Sequence, residues 1–409
     1  MNDSISATLI VKNEERNLSA CLKSIQALAD EIIIVDTGSE DRTIEIAKQF
    51  TQHIYHFDWC DDYSKARNEA LKYATKKWVL IINADETLDP QSLKKIPLYL
   101  SQFPTDPLHL LLFRLLTPGQ PNLFVRGLFP NHQGISFKGR VHEFPTHSTQ
   151  ELIGIECPDI VLHHSPLYPT DKYDSDKRLL LADLKELKKP YQRAVHLFHL
   201  GRTEIKRQAF SLALEALEQA LIQFYLSRTE WKRRLHHNLL QLITEISIEQ
   251  ELYEKGFKHA ERLYTLFPDF LQSQLYLGNC AFYLNNLETA SFHYKNLFRE
   301  LHRSSLPESL KNQFFFSLRL GLARISLLNE DFQTGITSLH SLYQENPNHL
   351  LAAHLSRAYL LSQNKGLAQY WQSQSGEKGV DLVTDLQKKV WWSEKEVLQL
   401  SHYLGESIY

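Results

Sequence analysis

The chain has 409 residues, 43% of them hydrophobic and 23% charged, with a formal net charge of -3 at pH 7. That length exceeds one ordinary core and points to two domains, the composition excludes a disordered chain, and the near-neutral balance gives no electrostatic ground for nucleic acid or an anionic membrane as main partner. Cys21, Cys60, Cys157 and Cys280 stand apart with no CxxC pair, which argues against a zinc or disulfide framework and fits a reducing compartment.

The start, MNDSISATLIVKNEE, lacks a basic region followed by an apolar one. The longest apolar run, Leu108 to Leu116, is broken by His109 and Arg114. A cytoplasmic protein with no membrane span is expected. Ala7 to Val11 reads as a short strand that gives way to the charged KNEERN. A helix follows with Leu18, Cys21, Leu22 and Ile25 on one face. Glu31 to Val35 is the next strand, ending in Asp36-Thr37-Gly38-Ser39, and a second amphipathic helix runs from Thr43 to Phe50. Another strand is expected near His53 to Phe57. Such alternation predicts a doubly wound, parallel α/β sheet.

Trp78 to Glu86, WVLIINADE, is an apolar run entering a polar cluster. It predicts a buried strand whose carboxyl end presents Asn83, Asp85 and Glu86 at the mouth of a site. The plainer reading is a solvated polar turn. Beyond it come the strand Leu108 to Leu116, the segment Val125 to Pro145, and a strand from Cys157 that delivers His163 and His164. Adjacent strand residues face opposite ways, so one histidine at most reaches a common site.

After Pro169 strand signals stop, and amphipathic helices begin with Tyr173 to Lys188. Leu200-Gly201 precedes Ala213 and Ala220, Leu277-Gly278 precedes Ala290, Leu322-Ala323 precedes Gly335 and Pro347, and Leu355 precedes Ala368. Small residues at such offsets predict a degenerate 34-residue, tetratricopeptide-like α-solenoid. The expected division is 1–170 for the sheet domain, 171–190 for a linker helix and 191–409 for the repeats. His236 and His237 read as surface polar residues, and Trp391-Trp392 as a capping anchor.

TLIVKNEERNL, EIIIVDTGSEDRTIEIA, WCDDYSKARNEAL and WVLIINADE, in this order, resemble the amino-terminal half of family-two inverting glycosyltransferases. The likeness is nearest to the branch with the sublancin-type S-glycosyltransferases and with bacterial glycosyltransferases followed by tetratricopeptide repeats. It is strong from Ser6 to Asp89 and looser to Tyr168. The resemblance implies a glycosyltransferase A-type domain, a UDP-type nucleotide-sugar donor, and Mn2+ or Mg2+ on the departing diphosphate. It places Asp36 and Arg67 against the nucleotide, with Lys12, Glu14 and Asn83 as further donor-site residues. Two alternatives stay open on the residues alone: Asp36 caps its own turn, and Arg67 pairs with Asp61 or Asp62.

The family pattern at Asn83-Ala84-Asp85 is Asp-x-Asp, so Asp85 keeps the metal-ligand position while Asn83 brings no charge. Metal demand should rise accordingly, and an Asp at 83 should lower it. Gly139 to Glu143 matches the family's GRIHE block and implies Glu143 as the acceptor's general base, with His142 orienting or replacing it. Pro130 stands where an Arg is usual. The second metal-site residue is assigned to His163, with His164 as the alternative. The acceptor is expected to be a polypeptide or a glycan on one, recruited by the helical half. The competing expectations are a homodimer through the repeats with a lipid-linked or lipopolysaccharide acceptor, and an inactive domain supporting a peptide-binding scaffold.

Overall fold

The computed structural model describes residues 3–103, 108–117, 123–150, 152–165, 171–228, 233–306 and 308–384. Trp391 and Trp392 lie outside them. The chain forms two compact units that divide between Lys188 and Lys189.

The first unit is built on strands β1 (Ile5–Val11), β2 (Glu31–Asp36), β3 (Ile54–His56), β4 (Trp78–Ile81), β5 (Glu86–Leu88), β6 (His109–Leu116), β7 (Leu123–Pro130) and β10 (Ile153–His164). They form one sheet in the order β3-β2-β1-β4-β7-β6-β10-β5. A two-stranded ribbon, β8 (Ser136–Lys138) with β9 (Phe144–Thr146), stands apart from it. The first four strands are parallel, but β7 runs antiparallel to both β4 and β6, so the sheet is mixed rather than wholly parallel.

Alternation of side chains across this sheet gives two cores. On one face Leu9, Leu80 and Leu128 pack with Leu18, Leu22 and Ile25 of α1 (Leu18–Ile25), and Ala47 ends α2 (Thr43–Ala47). The second helix is therefore shorter than its apolar pattern suggested. On the other face Val79, Ile81, Phe129 and Phe137 pack with Ala70 and Ala74, at and just past the end of α3 (Tyr63–Tyr73). The WVLIINADE strand stops at Ile81. Glu86 opens β5, which pairs antiparallel with β10 at the far edge of the sheet.

The helix read as a linker, α5 (Asp171–Glu186), is held on this unit: Arg140 bridges to Asp183 and Glu186, and Arg178 to Asp61. Among the described residues no helix is long and apolar enough to cross a membrane.

The second unit contains, among the described residues, five helix pairs: α6 (Pro190–Lys206) with α7 (Phe210–Leu226), α8 (Arg233–Glu249) with α9 (Tyr253–Leu266), α10 (Gln272–Tyr283) with α11 (Leu287–Arg303), α12 (Glu308–Leu328) with α13 (Phe332–Glu345), and α14 (His349–Leu361) with α15 (Lys365–Thr384). This is a tetratricopeptide-like helical array. Each pair turns through three residues whose middle member is left-handed: Gln208, Glu251, Asn285, Glu330 and Gln363. The following N–H groups of Ala209, Leu252, Asn286, Asp331 and Asn364 reach back five residues to a helical carbonyl, which closes each first helix in a Schellman-type turn. These turns lie 43, 34, 45 and 33 residues apart, so only two of the intervals approach the expected period.

The small residues flagged by sequence are contact points between helices. Gly201 faces Leu217 and the Ala213 carbonyl, and Gly335 faces Leu327 and the Ala323 carbonyl. His237 is buried, with its ring edge-on to Phe267 and Phe270, and burial pushes its pKa down; it belongs to the core rather than the surface.

A Cβ on Gly278 would lie 2.3 Å from one edge of the Tyr294 ring, and a Cβ on Gly321 would lie 2.6 Å from the other edge. With the ring seated between two glycines, Gly278→Ala should cost about 2 kcal/mol by overpacking, even after the helix-propensity gain of about 1 kcal/mol. Urea denaturation of the full chain measures this. A loss below about 0.5 kcal/mol would mean that the ring swings aside.

Candidate active site

The carboxyl ends of β1, β2 and β4 form one edge, where ligands of open α/β sheets bind. Asp36 is the last residue of β2 and is buried. Its carboxylate accepts from the N–H groups of Gly38 and Ser39 at 3.2 and 3.1 Å, so it caps its own turn. The same side chain lines a cleft of about 570 Å³ with Ile44, Lys48, Thr51, Ile54, Tyr55 and His56. Asp36 thus caps its own turn and lines the cleft in one geometry. Tyr55 is stiffened by parallel stacking on Tyr73, with centroids 3.5 Å apart.

Lys12 and Glu14 occupy the loop after β1. Lys12 is exposed, whereas Glu14 is half-buried, receives the Asn17 amide and has its own N–H bound to Thr43 Oγ1. The loop is locked to the one after β2, because Asn13 N–H donates to Ser39 and Glu40 N–H to the Asn13 side chain.

Arg67 lies on the buried face of α3, whose start is capped by Asp62. It pairs with neither Asp61 nor Asp62. Its Nε donates to Glu143 Oε1 at 2.5 Å and its Nη2 to Asn83 Oδ1 at 2.7 Å. What brings Glu143 there is Asn68, one residue along α3, whose amide exchanges two hydrogen bonds with the Phe137 backbone of β8. The ribbon is thereby docked on α3, and the loop 139–143 hangs over Arg67. That loop is irregular, with positive φ at Gly139 and His142. His142 is exposed while Glu143 is buried.

Glu143 also accepts from Arg126 Nη2 at 2.8 Å. Burial pushes its carboxyl up, but Arg126 and Arg67 together outweigh burial and hold it at about 2. A carboxylate so acidic, locked between two guanidiniums, is a poor proton acceptor. This geometry fits a buried clamp better than the general-base role expected from the motif.

Asn83 is the neutral link of the same network. Its oxygen accepts from Arg67, while its amide nitrogen donates to Glu86 Oε1 at 2.9 Å and its backbone N–H to Glu86 Oε2 at 2.9 Å. Burial, and then the Asp85 charge, raise the Glu86 carboxyl against the Asn83 N–H, Arg126 and Arg67. Both functional atoms of the Asn83 side chain are thus engaged within the network.

Asp85 meets His164, not His163. His164 Nε2 lies 3.2 Å from Asp85 Oδ2, and its Nδ1 lies 3.2 Å from Thr117 Oγ1. His163 is about half exposed on the other face of β10 and contacts Asp89 at 3.3 Å. Among the described residues no three His, Cys, Asp or Glu side chains gather into a metal site. The Asp85–His164 pair offers one oxygen and one nitrogen. That fits a hard or borderline cation only when phosphate oxygens and water complete its shell, as is common for Mg2+ bound with a nucleotide. Sequence reasoning missed Asn68 and Arg126 as participants and ranked His164 behind His163. Only Arg126 carried a signal, as a lone charge within an apolar run.

A mixed sheet with its loops gathered at the carboxyl ends of parallel strands, followed by helical repeats, is the architecture of a glycosyltransferase A-type domain joined to a tetratricopeptide-like array. Residues 6–106 match the family model for glycosyl transferase family 2, and this segment is a domain of that family. The chain is similar to a TPR repeat-containing protein of Synechococcus elongatus, 37% identical over 140 residues, which are 34% of each chain. It is also similar to the SPbeta prophage-derived glycosyltransferase SunS of Bacillus subtilis, 26% identical over 204 residues, which are 48% of each. These matches span between a third and a half of the relatives' length. Among solved structures, S. aureus TarS 1-349 aligns over 69% of this chain and 92% of that one at 14% identity, with a TM-score of 0.36.

Proposed function

We propose that the protein is an inverting glycosyltransferase that takes a sugar from a UDP-type donor and passes it to a polypeptide, or to a glycan on one, presented by the helical unit. The observation that carries this reading is the family-2 segment together with Asp36, Arg67 and Asp85 set at one sheet edge. In it, the base of the donor enters the cleft beside Asp36 and Tyr55, and Asp85 and His164 would be the residues to hold a Mn2+ or Mg2+ ion. Such an ion supplies charge neutralisation of the leaving group. His142, exposed beside the clamp, takes the acceptor's proton in place of Glu143. Similarity to a TPR repeat-containing protein supports a recruiting role for the helices, since stacked helix pairs offer a long surface to an extended chain.

Titration of the full chain with UDP, with and without Mn2+, tests the donor site. Asp36→Ala should weaken binding at least about tenfold, the scale of one lost hydrogen bond to a charged group, and Asp85→Ala should remove the gain from Mn2+. A parent protein that binds no nucleoside diphosphate under either condition would refute the assignment. Transfer of labelled sugar to protein in a lysate tests the acceptor, and label found only on lipid would favour the lipid-linked alternative.

A further inference from the structure

The ladder between β6 and β7 is irregular. Leu111 pairs with Leu128 but Leu112 pairs with Arg126, which leaves Gly127 as an extra residue on β7. A Cβ at Gly127 would lie 2.6 Å from the Phe113 ring, so this bulge has no space for a side chain. Inserting one residue reverses the alternation of a strand and re-aims what precedes it. In a regular strand Arg126 would share the face of Leu128, in the apolar core with Leu80 and Leu111. With the bulge it turns to the α3 side and meets Glu143.

Arg126 differs from the other members of that clamp. Its side chain is 24% exposed, against 4% for Arg67 and 6% for Glu143. Among the described residues its Nε is buried with no hydrogen-bond partner. Two guanidiniums share a single oxygen, Oε1 of Glu143, so the trio carries one excess positive charge. Arg126 also stands just past the Leu80–Leu128 pair, beside the carboxyl end of β4 and on the edge that holds Asn83 and Asp85. A fixed, partly exposed cation with spare donors at that edge suits a phosphate, which guanidinium binds through paired N–H groups.

We propose that Arg126 is the phosphate-binding cation of this site, aimed there by the Gly127 bulge. This rests on the donor reading above. In the transfer, the bond between the anomeric carbon and the diphosphate oxygen breaks and its electron pair stays on the diphosphate. The acceptor's nucleophilic atom bonds to the anomeric carbon and its proton passes to a base. The negative charge that grows on the terminal phosphate as the bond breaks is met by Arg126.

Calorimetric titration of the full chain with nucleoside diphosphates (UDP, CDP, GDP, ADP), each against its own nucleoside, separates the outcomes. Parent protein should bind one diphosphate more tightly than its nucleoside. Arg126→Gln should weaken that diphosphate 10- to 100-fold while nucleoside affinity stays within twofold. Arg126→Lys, which keeps the charge but not the fork, should fall between. Equal diphosphate affinity in parent and Arg126→Gln overturns the proposal, and so does an equal loss for nucleoside and diphosphate, which marks a merely structural role. A parent that binds neither refutes the donor reading itself. If Arg126→Gln does not fold, the same comparison on Arg126→Lys decides.

Discussion

Glu143→Gln should lower the stability of the sheet unit by about 3–5 kcal/mol, the cost of leaving buried charges without their partner. Arg67 and Arg126 would then face each other across a neutral amide, and Arg67, whose pKa is already pushed down by burial and by Arg126, has no other carboxylate in hydrogen-bond contact among the described residues. If Glu143 were the general base of the motif, the same substitution would keep the fold and reduce turnover by about 10²–10⁴. Hydrogen exchange of the α3 backbone distinguishes the two: the clamp predicts faster exchange in the variant, the base predicts none.

A pH signature follows. The folded Glu143 carboxyl is depressed to about 2, below its unfolded range near 4.3, so its contribution is fully present above that range and is lost as pH falls toward 2. The difference of roughly two units corresponds to about 3 kcal/mol. Denaturation of the parent should steepen over this window, and Glu143→Gln should lack that component. A variant as acid-sensitive as the parent would remove the clamp as an explanation.

The succession of elements near the amino terminus, and Asp36 at the end of β2, were legible because apolar runs and turn residues are local signals. The partners of Arg67 were not. Glu143 lies 76 residues away in sequence and is brought in by a ribbon that docks through Asn68, a polar residue with no periodic signature. The choice between His163 and His164 turned on strand parity, and β10 shifts register between Cys157 and Val161, which no alternation rule foresees. Gly127 hid Arg126 in the same way. In the helical unit the repeats are punctuated by left-handed turns at Gln208, Glu251, Glu330 and Gln363, where side chains of no special turn propensity stand in place of glycine. The packing glycines were readable, since close helix approach leaves few alternatives. The varying interval was not, because helix length is set by the neighbours each helix covers.

Asn83→Asp should destabilise the sheet unit by about 1–3 kcal/mol at pH 7.5, the usual scale for breaking a buried hydrogen bond and confronting like charges. This is the reverse of what the Asp-x-Asp pattern leads one to expect, namely a restored metal ligand and a smaller demand for Mn2+. The side chain at 83 has two obligations at once, accepting from Arg67 Nη2 and donating to Glu86 Oε1. An aspartate meets the first and fails the second. It sets two carboxylates across a 2.9 Å contact, beside a Glu86 carboxyl already raised by burial. One of the two must keep a proton, so the pair's folded pKa rises above the unfolded value. A raised carboxyl pKa penalises the fold as pH climbs above the unfolded range near 4, and the penalty fades below it. The stability gap between parent and variant should therefore be small at pH 5 and wider at pH 7.5. The attraction of Arg67 for a charged partner offsets part of the repulsion, so the loss stays below that of Glu143→Gln. Chemical denaturation at the two pH values, with Mn2+-dependent nucleotide binding measured on the same preparations, decides the matter. A variant as stable as the parent at pH 7.5 that needs less Mn2+ would return position 83 to the metal shell.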